Sequence, residues 1–178
     1  MKTAYFWLTP QGKQLAEQLQ AHFGGTVEPK ADFAETVRRA FTDCDALVFV
    51  MATGIVVRTI APLVQSKASD PAVLVLDQRG KHVISLLSGH LGGANAMAEQ
   101  AAAYLGGEAV ITTATDVEHV PAFDLFAKEN HLTIENLEEL KYISGALVAG
   151  EPVSLCTAFP VEKNAFPETV QIQPFSET

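Results

Sequence analysis

The feature that most constrains the fold is an uninterrupted apolar run, Ala46 to Ala52, which is rich in β-branched and aromatic residues. A strand with one face in water alternates apolar and polar residues, whereas a run without alternation is typical of a strand buried on both faces. Such strands belong to parallel sheets that carry helices on each side. The run therefore predicts an α/β fold.

The rest of the N-terminal part alternates strands with helices. The connection Asp77–Gly80, with Lys81, is short enough to join its two flanking strands into a hairpin. Helices are predicted to begin at Pro10 and near Asp32. Further helices are predicted at 55–64 and 96–105, and strands at 3–8, 26–28, 46–52, 72–76, 82–87 and 109–113. The alternation predicts a layered, mostly parallel sheet flanked by helices, Rossmann-like or flavodoxin-like.

The character of the sequence changes after Asp116. The residues that follow are acidic and contain five prolines, and periodicity fades from Pro160 onward. This part is predicted to hold helices at 123–129 and 137–148 and a strand at 153–156. We therefore expect two domains, an N-terminal α/β domain of residues 1–118 with glycine-rich loops and a smaller acidic α/β extension of residues 119–178.

The formal net charge is −9, which argues against nucleic acid as a ligand because phosphate binding needs a clustered basic surface. The charge is uneven. Residues 52–98 carry four bases and two acids, a balance of +2, so the rest of the chain carries −11 (−9 minus +2). This stretch either serves an anionic ligand or is a sheet with lysine and arginine at its margins.

Membrane insertion and secretion are not predicted. The first apolar run stops at Pro10 and is too short for a bilayer span or a secretory signal. Cys44 and Cys156 lie far apart and match no metal or redox spacing. We expect a cytoplasmic protein with reduced thiols.

Three loops that follow predicted strands carry residues suited to chemistry, because ligands of open α/β sheets bind outside the carboxyl ends of strands. In the first loop, Met51–Arg58, Gly54 would let the backbone approach a ligand closely. Arg58, one turn into the next helix, could fork onto a carboxylate. The alternative is an ordinary strand-to-helix turn with a surface arginine.

The second loop, Ser88–Asn95, places a hydroxyl, a histidine, adjacent glycines and an amide directly before a helix. His90 suits general acid–base work near neutral pH. The N–H groups of Gly92 and Gly93 could hold an oxyanion. A lone histidine is more often structural than catalytic, and that alternative stays open.

The third loop, Thr112–Asp116, crowds hydroxyls and a carboxylate at the end of a predicted strand. Asp116 could orient His90 or a water molecule, or it could cap the next helix. Neither a Walker A motif nor a GxGxxG motif occurs, so a nucleotide role lacks its usual sequence support.

Together these loops resemble the N-terminal region of the CbiG family. The resemblance rests on several segments in this order and with these spacings: Gly54–Arg58, Ile60–Leu63, Lys67, Asp70–Val73, Val83–Asn95 and Val110–Asp116. It is close from about Asp45 to Asp116 and continues more loosely from Ala127 to Leu155, like the family's middle region. Members usually carry a further C-terminal domain, which we do not find in this sequence.

The resemblance implies a hydrolase of cobalamin (corrin) biosynthesis. It would open the δ-lactone of cobalt-precorrin-5A, release acetaldehyde and yield cobalt-precorrin-5B. The cobalt belongs to the substrate, so neither a cofactor nor a protein metal site is expected. The expected partners are the small corrinoid substrate, a C-terminal domain of the family in cis or in trans, and a second copy in a homodimer. Membranes and nucleic acid are not expected.

Lactone hydrolysis needs an activated water and a place for the developing oxyanion. We therefore assign the catalytic roles to His90, as the base, and to Asp116 or Thr113, which would orient the base or the water. Substrate contacts are predicted for residues of the same segments, namely Gly54, Arg58, Lys67, Ser88, Gly89, Gly92, Gly93, Asn95 and Thr115.

Two alternatives stay open. One is a non-catalytic corrinoid-binding module, whose basic stretch only holds the acidic macrocycle. The other is an unrelated α/β domain that binds a nucleotide or a sugar phosphate. Acetaldehyde release separates the enzyme from the binding module, and pigment in the purified protein separates both from the third candidate.

Overall fold

The N-terminal part of the chain forms a six-stranded sheet. A computed structural model describes residues 1–66, 69–162 and 165–175, and its contacts divide the chain into two compact units, Met1–Ile111 and Thr112–Thr178. The strands of the first unit are β1 Thr3–Trp7, β2 Thr26–Val27, β3 Ala46–Val50, β4 Ala72–Leu76, β5 His82–Leu87 and β6 Glu108–Val110. Their order across the sheet is β2-β1-β3-β4-β5-β6.

Two of these strands run against the other four. β1 pairs in parallel with β2 and β3, and β3 pairs in parallel with β4. β5 is antiparallel to β4, which confirms the predicted hairpin, and β6 is parallel to β5. We call the end of the sheet at which β1–β4 begin the amino end and the opposite end the carboxyl end. The last residues of β5 and β6 therefore lie at the amino end.

Helices cover both faces of this sheet. In the described part of the first unit they are α1 Pro10–Phe23, α2 Phe33–Asp43, α3 Thr53–Ile60 and α4 Ala94–Leu105. α1 and α4 pack on one face of the sheet, and α2 and α3 pack on the other. Thr9 caps α1, because its Oγ1 accepts the Gly12 N–H at 3.0 Å. This arrangement confirms the predicted α/β class.

The apolar run that dominates the sequence forms the centre of the core. All five residues of β3 are buried, with exposed fractions of 2% or less. Val48 and Val50 pack with α1 and α4, whereas Leu47 and Phe49 pack with α2 and α3. Fully burying a side chain of this size stabilises the fold by about 1.5–3 kcal/mol. β3 is therefore buried on both faces, as its composition predicts.

Some elements differ from their predicted bounds. α3 covers Thr53–Ile60 instead of 55–64, because Pro62 has no N–H with which to continue the helix. α4 begins at Ala94, directly after Gly93, and not at 96. β6 covers Glu108–Val110 instead of 109–113, since Thr113 is the N-cap of the next helix.

The second unit is smaller and contains both helices and strands. Its described elements are α5 Ala114–Val117, α6 Phe123–Glu129, α7 Leu140–Val148, β7 Val153–Thr157 and β8 Val170–Pro174. β7 and β8 pair in parallel as a two-stranded sheet. β8 was not predicted, because the strand is exposed after Val170 and carries polar residues. The unit begins at Thr112, where α5 joins α7, whereas the sequence pattern divides the chain after residue 118.

The second unit has an apolar cavity of its own. Its volume is about 840 Å³, and its lining includes the aromatic rings of Phe123, Phe126 and Phe166. The Phe126 and Phe166 rings lie 5.2 Å apart between centroids.

None of the helices in the described part of the chain has the length and apolarity that a membrane span requires.

Candidate functional site

The second predicted loop, residues 88–95, is called the histidine loop from here on. It follows β5 and therefore lies at the amino end of the sheet. Backbone hydrogen bonds close it: the N–H of Gly93 donates to the His90 carbonyl at 2.9 Å, that of Ala94 to Ser88 at 3.1 Å, and that of Asn95 to Gly89 at 3.0 Å. The loop is thus a compact turn that leads into α4, with a half-buried His90 near its centre.

Packing explains the glycines of the histidine loop. A Cβ added at Gly92 would overlap the Ser88 Cβ and lie 2.7 Å from the Ser88 carbonyl oxygen. One added at Gly89 would lie 2.7 Å from Asn95 Oδ1. Gly93 has a φ of +87°, in the left-handed region that side chains rarely adopt. Lack of space or a left-handed backbone therefore favours glycine at each of these positions, whether or not the residue also contacts a ligand.

Two polar side chains of the histidine loop are buried inside it. Ser88 Oγ donates to the Asp70 carbonyl at 3.0 Å, and Ser85 Oγ donates to Asn95 Oδ1 at 2.7 Å. Ser88 and Asn95 are 9% and 6% exposed. A buried polar group that lost such a partner would cost about 1–3 kcal/mol. These two side chains therefore shape the loop, and their predicted contact with a substrate stays a prediction.

The groups of the histidine loop that suit chemistry are an imidazole and one backbone N–H. Neutral imidazole can accept a proton from water near neutral pH. Of the two predicted oxyanion donors, Gly93 already uses its N–H for the His90 carbonyl. Gly92 is the remaining donor. The loop can therefore supply a base, His90, and one N–H for a developing negative charge.

The segment that precedes β4 lies against the histidine loop through Asp70. The Asp70 carboxylate is buried, and its Oδ2 accepts the N–H groups of Gln65 at 2.9 Å and Ser66 at 3.1 Å. Lys67, the predicted second anion contact, lies outside the described residues. Asp70 itself was not among the predicted site residues. The sequence offers one signal at this position: an aspartate directly before Pro71, ahead of a predicted strand, is typical of a turn.

The first predicted loop lies at the other end of the sheet. Gly54 is in the first turn of α3, which follows the carboxyl end of β3, and the exposed Arg58 donates from Nη1 to the Gly54 carbonyl at 2.8 Å. Strands of five residues separate the two ends by about 16 Å. The structure therefore does not bring Gly54 and Arg58 together with His90. The reason is that β5 runs antiparallel to β3 and β4.

A cleft of about 630 Å³ lies at the carboxyl end. There β1 and β3 are neighbours, yet the chain leaves them in opposite directions, towards β2 and β4. Ligands of open α/β sheets often bind at such a point. The lining is largely apolar, with residues of the first predicted loop on one side and the β4–β5 hairpin on the other, including Leu8, Met51, Thr53, Ile55, Asp77 and His82.

The β4–β5 hairpin brings a carboxylate and an imidazole to this cleft. Asp77 accepts the N–H groups of Arg79 at 2.8 Å and His82 at 2.7 Å, and its Oδ2 lies 3.4 Å from His82 Nδ1. Desolvation raises the pKa of the Asp77 carboxyl, but the backbone N–H groups of His82, Arg79 and Lys81 together outweigh it and hold the pKa below its ordinary value. The pair was not predicted, because neither residue lies in a glycine-rich loop.

The third predicted loop opens the second unit. Thr113 is the N-cap of α5, Thr115 is buried, and Asp116 is the third residue of that helix. The alternative in which Asp116 caps the helix is therefore wrong. The predicted catalytic roles of Thr113 and Asp116 and the predicted substrate contact of Thr115 stay predictions.

Metal-binding groups are sparse where the structure can be described. Within residues 1–66, 69–162 and 165–175, no three His, Cys, Asp or Glu side chains are grouped in a way that could hold a metal ion. Both cysteines are free thiols, and burial raises the pKa of the Cys44 thiol. A raised pKa leaves this thiol protonated and poorly reactive at neutral pH.

Comparison with known proteins gives matches over both units. Residues 35–116 match the family model described as cobalamin synthesis G N-terminal, and residues 121–177 match the model described as cobalamin biosynthesis central region. The first match contains the histidine loop, the Asp70 segment and Arg58. A crystal structure of a cobalamin biosynthesis protein G homologue from Sulfolobus solfataricus superimposes with a TM-score of 0.55 and 26% identity, covering 99% of this chain and 57% of that one.

Two curated relatives carry the same name. A cobalt-precorrin-5A hydrolase from Salmonella typhimurium is 46% identical over 165 residues, which are 85% of this chain and 47% of the relative. One from Priestia megaterium is 41% identical over 115 residues, which are 65% of this chain and 31% of the relative. The chain therefore spans about half or less of the length of these relatives.

Proposed function

Because this chain belongs to the family of cobalamin synthesis G proteins, we propose that it forms part of a cobalt-precorrin-5A hydrolase. The observation that carries the proposal is the match of both units to the family's N-terminal and central regions, with 46% identity to a relative of that name. The chain spans 47% of that relative. We therefore propose that a further domain of the family, in cis or in trans, completes the enzyme.

In the proposed reaction, water adds to the carbonyl carbon of the δ-lactone and the ring C–O bond breaks. The alcohol freed in this way then loses its O–H proton and the C–C bond that joins the two-carbon fragment to the macrocycle breaks, so that the fragment leaves as acetaldehyde. The electron pair of that bond stays on the macrocycle, which takes up a proton and keeps the carboxylate. The cobalt arrives with the substrate. The protein has to take a proton from water and stabilise the oxyanion that forms on the carbonyl oxygen.

We place this chemistry at the amino end of the sheet. His90 would take the proton from water, and the Gly92 N–H would donate to the oxyanion. The orienting roles of Asp116 and Thr113 stay predictions from the sequence. The support is that the histidine loop is compact and is anchored on Asp70, so that the backbone that carries His90 is held in place.

The role proposed from the sequence for Arg58 has to be revised. A substrate molecule that meets His90 lies about 16 Å from the carboxyl end, where Gly54 lies in the first turn of α3. Arg58 is hydrogen-bonded to the Gly54 carbonyl. We therefore propose that Arg58 and Gly54 of a given chain do not touch the substrate molecule on which His90 of that chain acts.

We also propose that the protein works in the cytoplasm. The support is that Cys44 and Cys156 are free thiols, which is usual for proteins of reducing compartments. Retention of the labelled protein in the cytoplasmic fraction, next to a known cytoplasmic marker, would test this. Recovery in another compartment would contradict it.

The experiment that tests the function is acetaldehyde release from cobalt-precorrin-5A. The chain is assayed alone and together with the region of a curated relative that the chain does not cover, and that region alone is the control. We expect release with both parts present. Corrinoid binding without acetaldehyde in any combination would support the non-catalytic module instead. Neither binding nor release would contradict the proposed function altogether.

A further inference from the structure

We infer that Asp70 is a positioning residue for the histidine loop and acts on it through the Ser88 hydroxyl. Its catalytic consequence rests on the proposed function, because it assumes that His90 acts on the substrate. The structural part concerns only how the loop is held, and it can be tested without any reaction.

Asp70 is itself held firmly. It is 7% exposed, and one carboxylate oxygen, Oδ2, accepts the backbone N–H groups of Gln65 and Ser66 at 2.9 and 3.1 Å. Hydrogen bonds to a charged acceptor are stronger than those between neutral groups. The N–H of Asp70 in turn donates to the Ser66 carbonyl at 2.8 Å. Gln65 and Ser66 are therefore tied to Asp70 directly before β4.

Asp70 also links the start of β4 to the histidine loop. The Asp70 carbonyl accepts the Ser88 hydroxyl at 3.0 Å, and both residues are buried. Ser88 has a φ of +57°, a left-handed conformation that is rare for residues other than glycine. Such a conformation persists where surrounding contacts enforce it. The hydrogen bond to Asp70 is a contact of this kind, at the residue where the chain turns out of β5.

Ser88 in turn contacts the rest of the histidine loop. Its carbonyl accepts the Ala94 N–H at 3.1 Å, which closes the loop across His90. Gly92 packs so closely on Ser88 that no Cβ fits between them. A shift of Ser88 therefore moves the proposed oxyanion donor and the two chain segments between which His90 lies. Small displacements of a catalytic group lower turnover steeply, because the reacting atoms must be aligned.

A purely structural role for Asp70 predicts something different. In that case a variant would lose stability, but the folded fraction would keep its turnover and the loop its protection. The chain offers a matched pair for this distinction. Ser69 and Ser88 both donate a hydroxyl hydrogen bond to a backbone carbonyl of segment 65–70, but Ser69 is exposed and its bond is 3.5 Å long. Ser69→Ala is therefore the control for Ser88→Ala.

The structural test is hydrogen–deuterium exchange of the loop, measured on this chain by mass spectrometry of peptides covering residues 88–97. Ser88→Ala keeps the Cβ and removes only the hydroxyl. We expect its loop amides, including those of Gly93 and Ala94, to exchange at least about tenfold faster. A factor of ten in the exchange rate corresponds to about 1.4 kcal/mol in the free energy of opening the loop. Asp70→Asn should have the same effect in the same direction. Ser69→Ala should exchange like the wild type.

The catalytic test uses the acetaldehyde assay with both parts of the enzyme. We expect Ser88→Ala and Asp70→Asn to lower kcat about tenfold with little change in KM, since the base is misplaced while the binding surface remains. Asp70→Ala should lose more than Asp70→Asn, which keeps one acceptor oxygen. If Ser88→Ala does not fold, Asp70→Asn carries both measurements.

The outcomes separate the two proposals. Unchanged exchange in both variants would overturn the positioning role, whatever the activity. Faster exchange with unchanged kcat, or with a rise in KM alone, would overturn the positioning role as well. The order of the loop would then have no effect on the base. A wild-type enzyme that releases no acetaldehyde would contradict the proposed function, while exchange would still decide whether Asp70 holds the loop.

Discussion

The two ends of the sheet differ in what they offer a ligand. The carboxyl end has a cleft of about 630 Å³ at the point where the chain leaves β1 and β3 in opposite directions. The amino end has the histidine loop, with an imidazole, a backbone donor and a buried anchor in Asp70. Each end of the sheet therefore offers an imidazole, that of His82 in the cleft and that of His90 in the histidine loop. The cleft alone therefore does not decide which end of the sheet binds the ligand.

The difference arises from one reversed strand. In a fully parallel sheet every loop that follows a strand lies at the carboxyl end, which is where ligands usually bind. Here β5 returns antiparallel to β4, and the loop that follows it lies at the amino end. β6 repeats the direction of β5. The loop that carries His90 is thus separated from the loop that carries Gly54 by the length of the sheet.

The largest expected effect concerns the two histidines, one at each end of the sheet. We expect His90→Gln to lower kcat for acetaldehyde release by about 10²–10⁴, the usual contribution of general base catalysis. His82→Gln, in the carboxyl-end cleft, should change kcat by less than about threefold, because its imidazole lies next to Asp77 and away from the histidine loop. Steady-state kinetics on both variants measure this.

The control for both histidine variants is His22→Gln, because His22 lies on α1 and stacks on Tyr104 with 3.9 Å between ring centroids. Full turnover of His90→Gln together with a large loss in His82→Gln would reverse the comparison. The base would then be the cleft histidine, with Asp77 as the group that orients it.

A second expected effect concerns one glycine from each end. Gly92→Ala should destabilise the first unit by about 1–3 kcal/mol, because the added methyl group overlaps Ser88 and the loop is already closed. Gly54→Ala should be neutral or stabilising by up to about 1 kcal/mol, since alanine is the better helix former. Its methyl group would meet only the flexible guanidinium of Arg58, at 3.1 Å. Urea unfolding of both variants measures the difference.

Equal losses in the two glycine variants would mean that the histidine loop is no tighter than the start of α3. Gly92→Ala with wild-type stability would contradict the close packing of Gly92 on Ser88. That outcome would also weaken the argument that Ser88 moves the proposed oxyanion donor.

Much of the fold could be predicted because its signals are local. The run 46–52 identified a strand buried on both faces, Thr9 and Pro10 identified the start of α1, and the hairpin followed from a short polar connection. β8 could not be predicted, since its stability comes from pairing with β7 and not from a buried apolar pattern.

The candidate site could be predicted only in part. The histidine loop stood out by its composition, but the importance of Asp70 depends on a hydrogen bond to Ser88, 18 residues away, which no local pattern contains. The separation of Arg58 from His90 was already implied by the predicted hairpin, because a hairpin reverses the direction of its second strand. The rule for parallel sheets does not extend to a loop that follows an antiparallel strand.

A smaller effect is expected from two aspartates that bind backbone N–H groups, Asp70 at the amino end and Asp77 at the carboxyl end. Asp70 is buried, whereas the side chain of Asp77 is 40% exposed. Loss of charge should therefore cost more stability in Asp70→Asn, about 1–3 kcal/mol, than in Asp77→Asn, less than about 1 kcal/mol after screening by solvent. Chemical unfolding at pH 7 measures both.

Asp77 adds a dependence on pH with a definite sign. Its pKa is lower in the folded state than the ordinary value of 3.8, so its charge stabilises the fold above that value. This contribution is lost as the pH falls below 3.8 and through the folded pKa. The difference between wild type and Asp77→Asn should therefore be constant from pH 7 to about pH 5 and shrink below pH 4. A difference that grows on acidification would contradict the lowered pKa.

The smallest expected effect tests the cleft itself with two exposed apolar residues of α3. Ile55 lines the cleft and is 39% exposed, whereas Val57 does not line it and is 45% exposed. Replacing each by glutamate adds one negative charge to the same helix at similar exposure. If the acidic substrate is bound at the amino end, both variants should change KM by less than about threefold, because exposed charges that far apart are largely screened.

If the macrocycle instead lies in the cleft, Ile55→Glu should raise KM at least tenfold while Val57→Glu does not, and the raised KM should fall with added salt. That single result would move the binding site to the carboxyl end, where the opening is, and leave His90 and its Asp70 anchor as a structural turn.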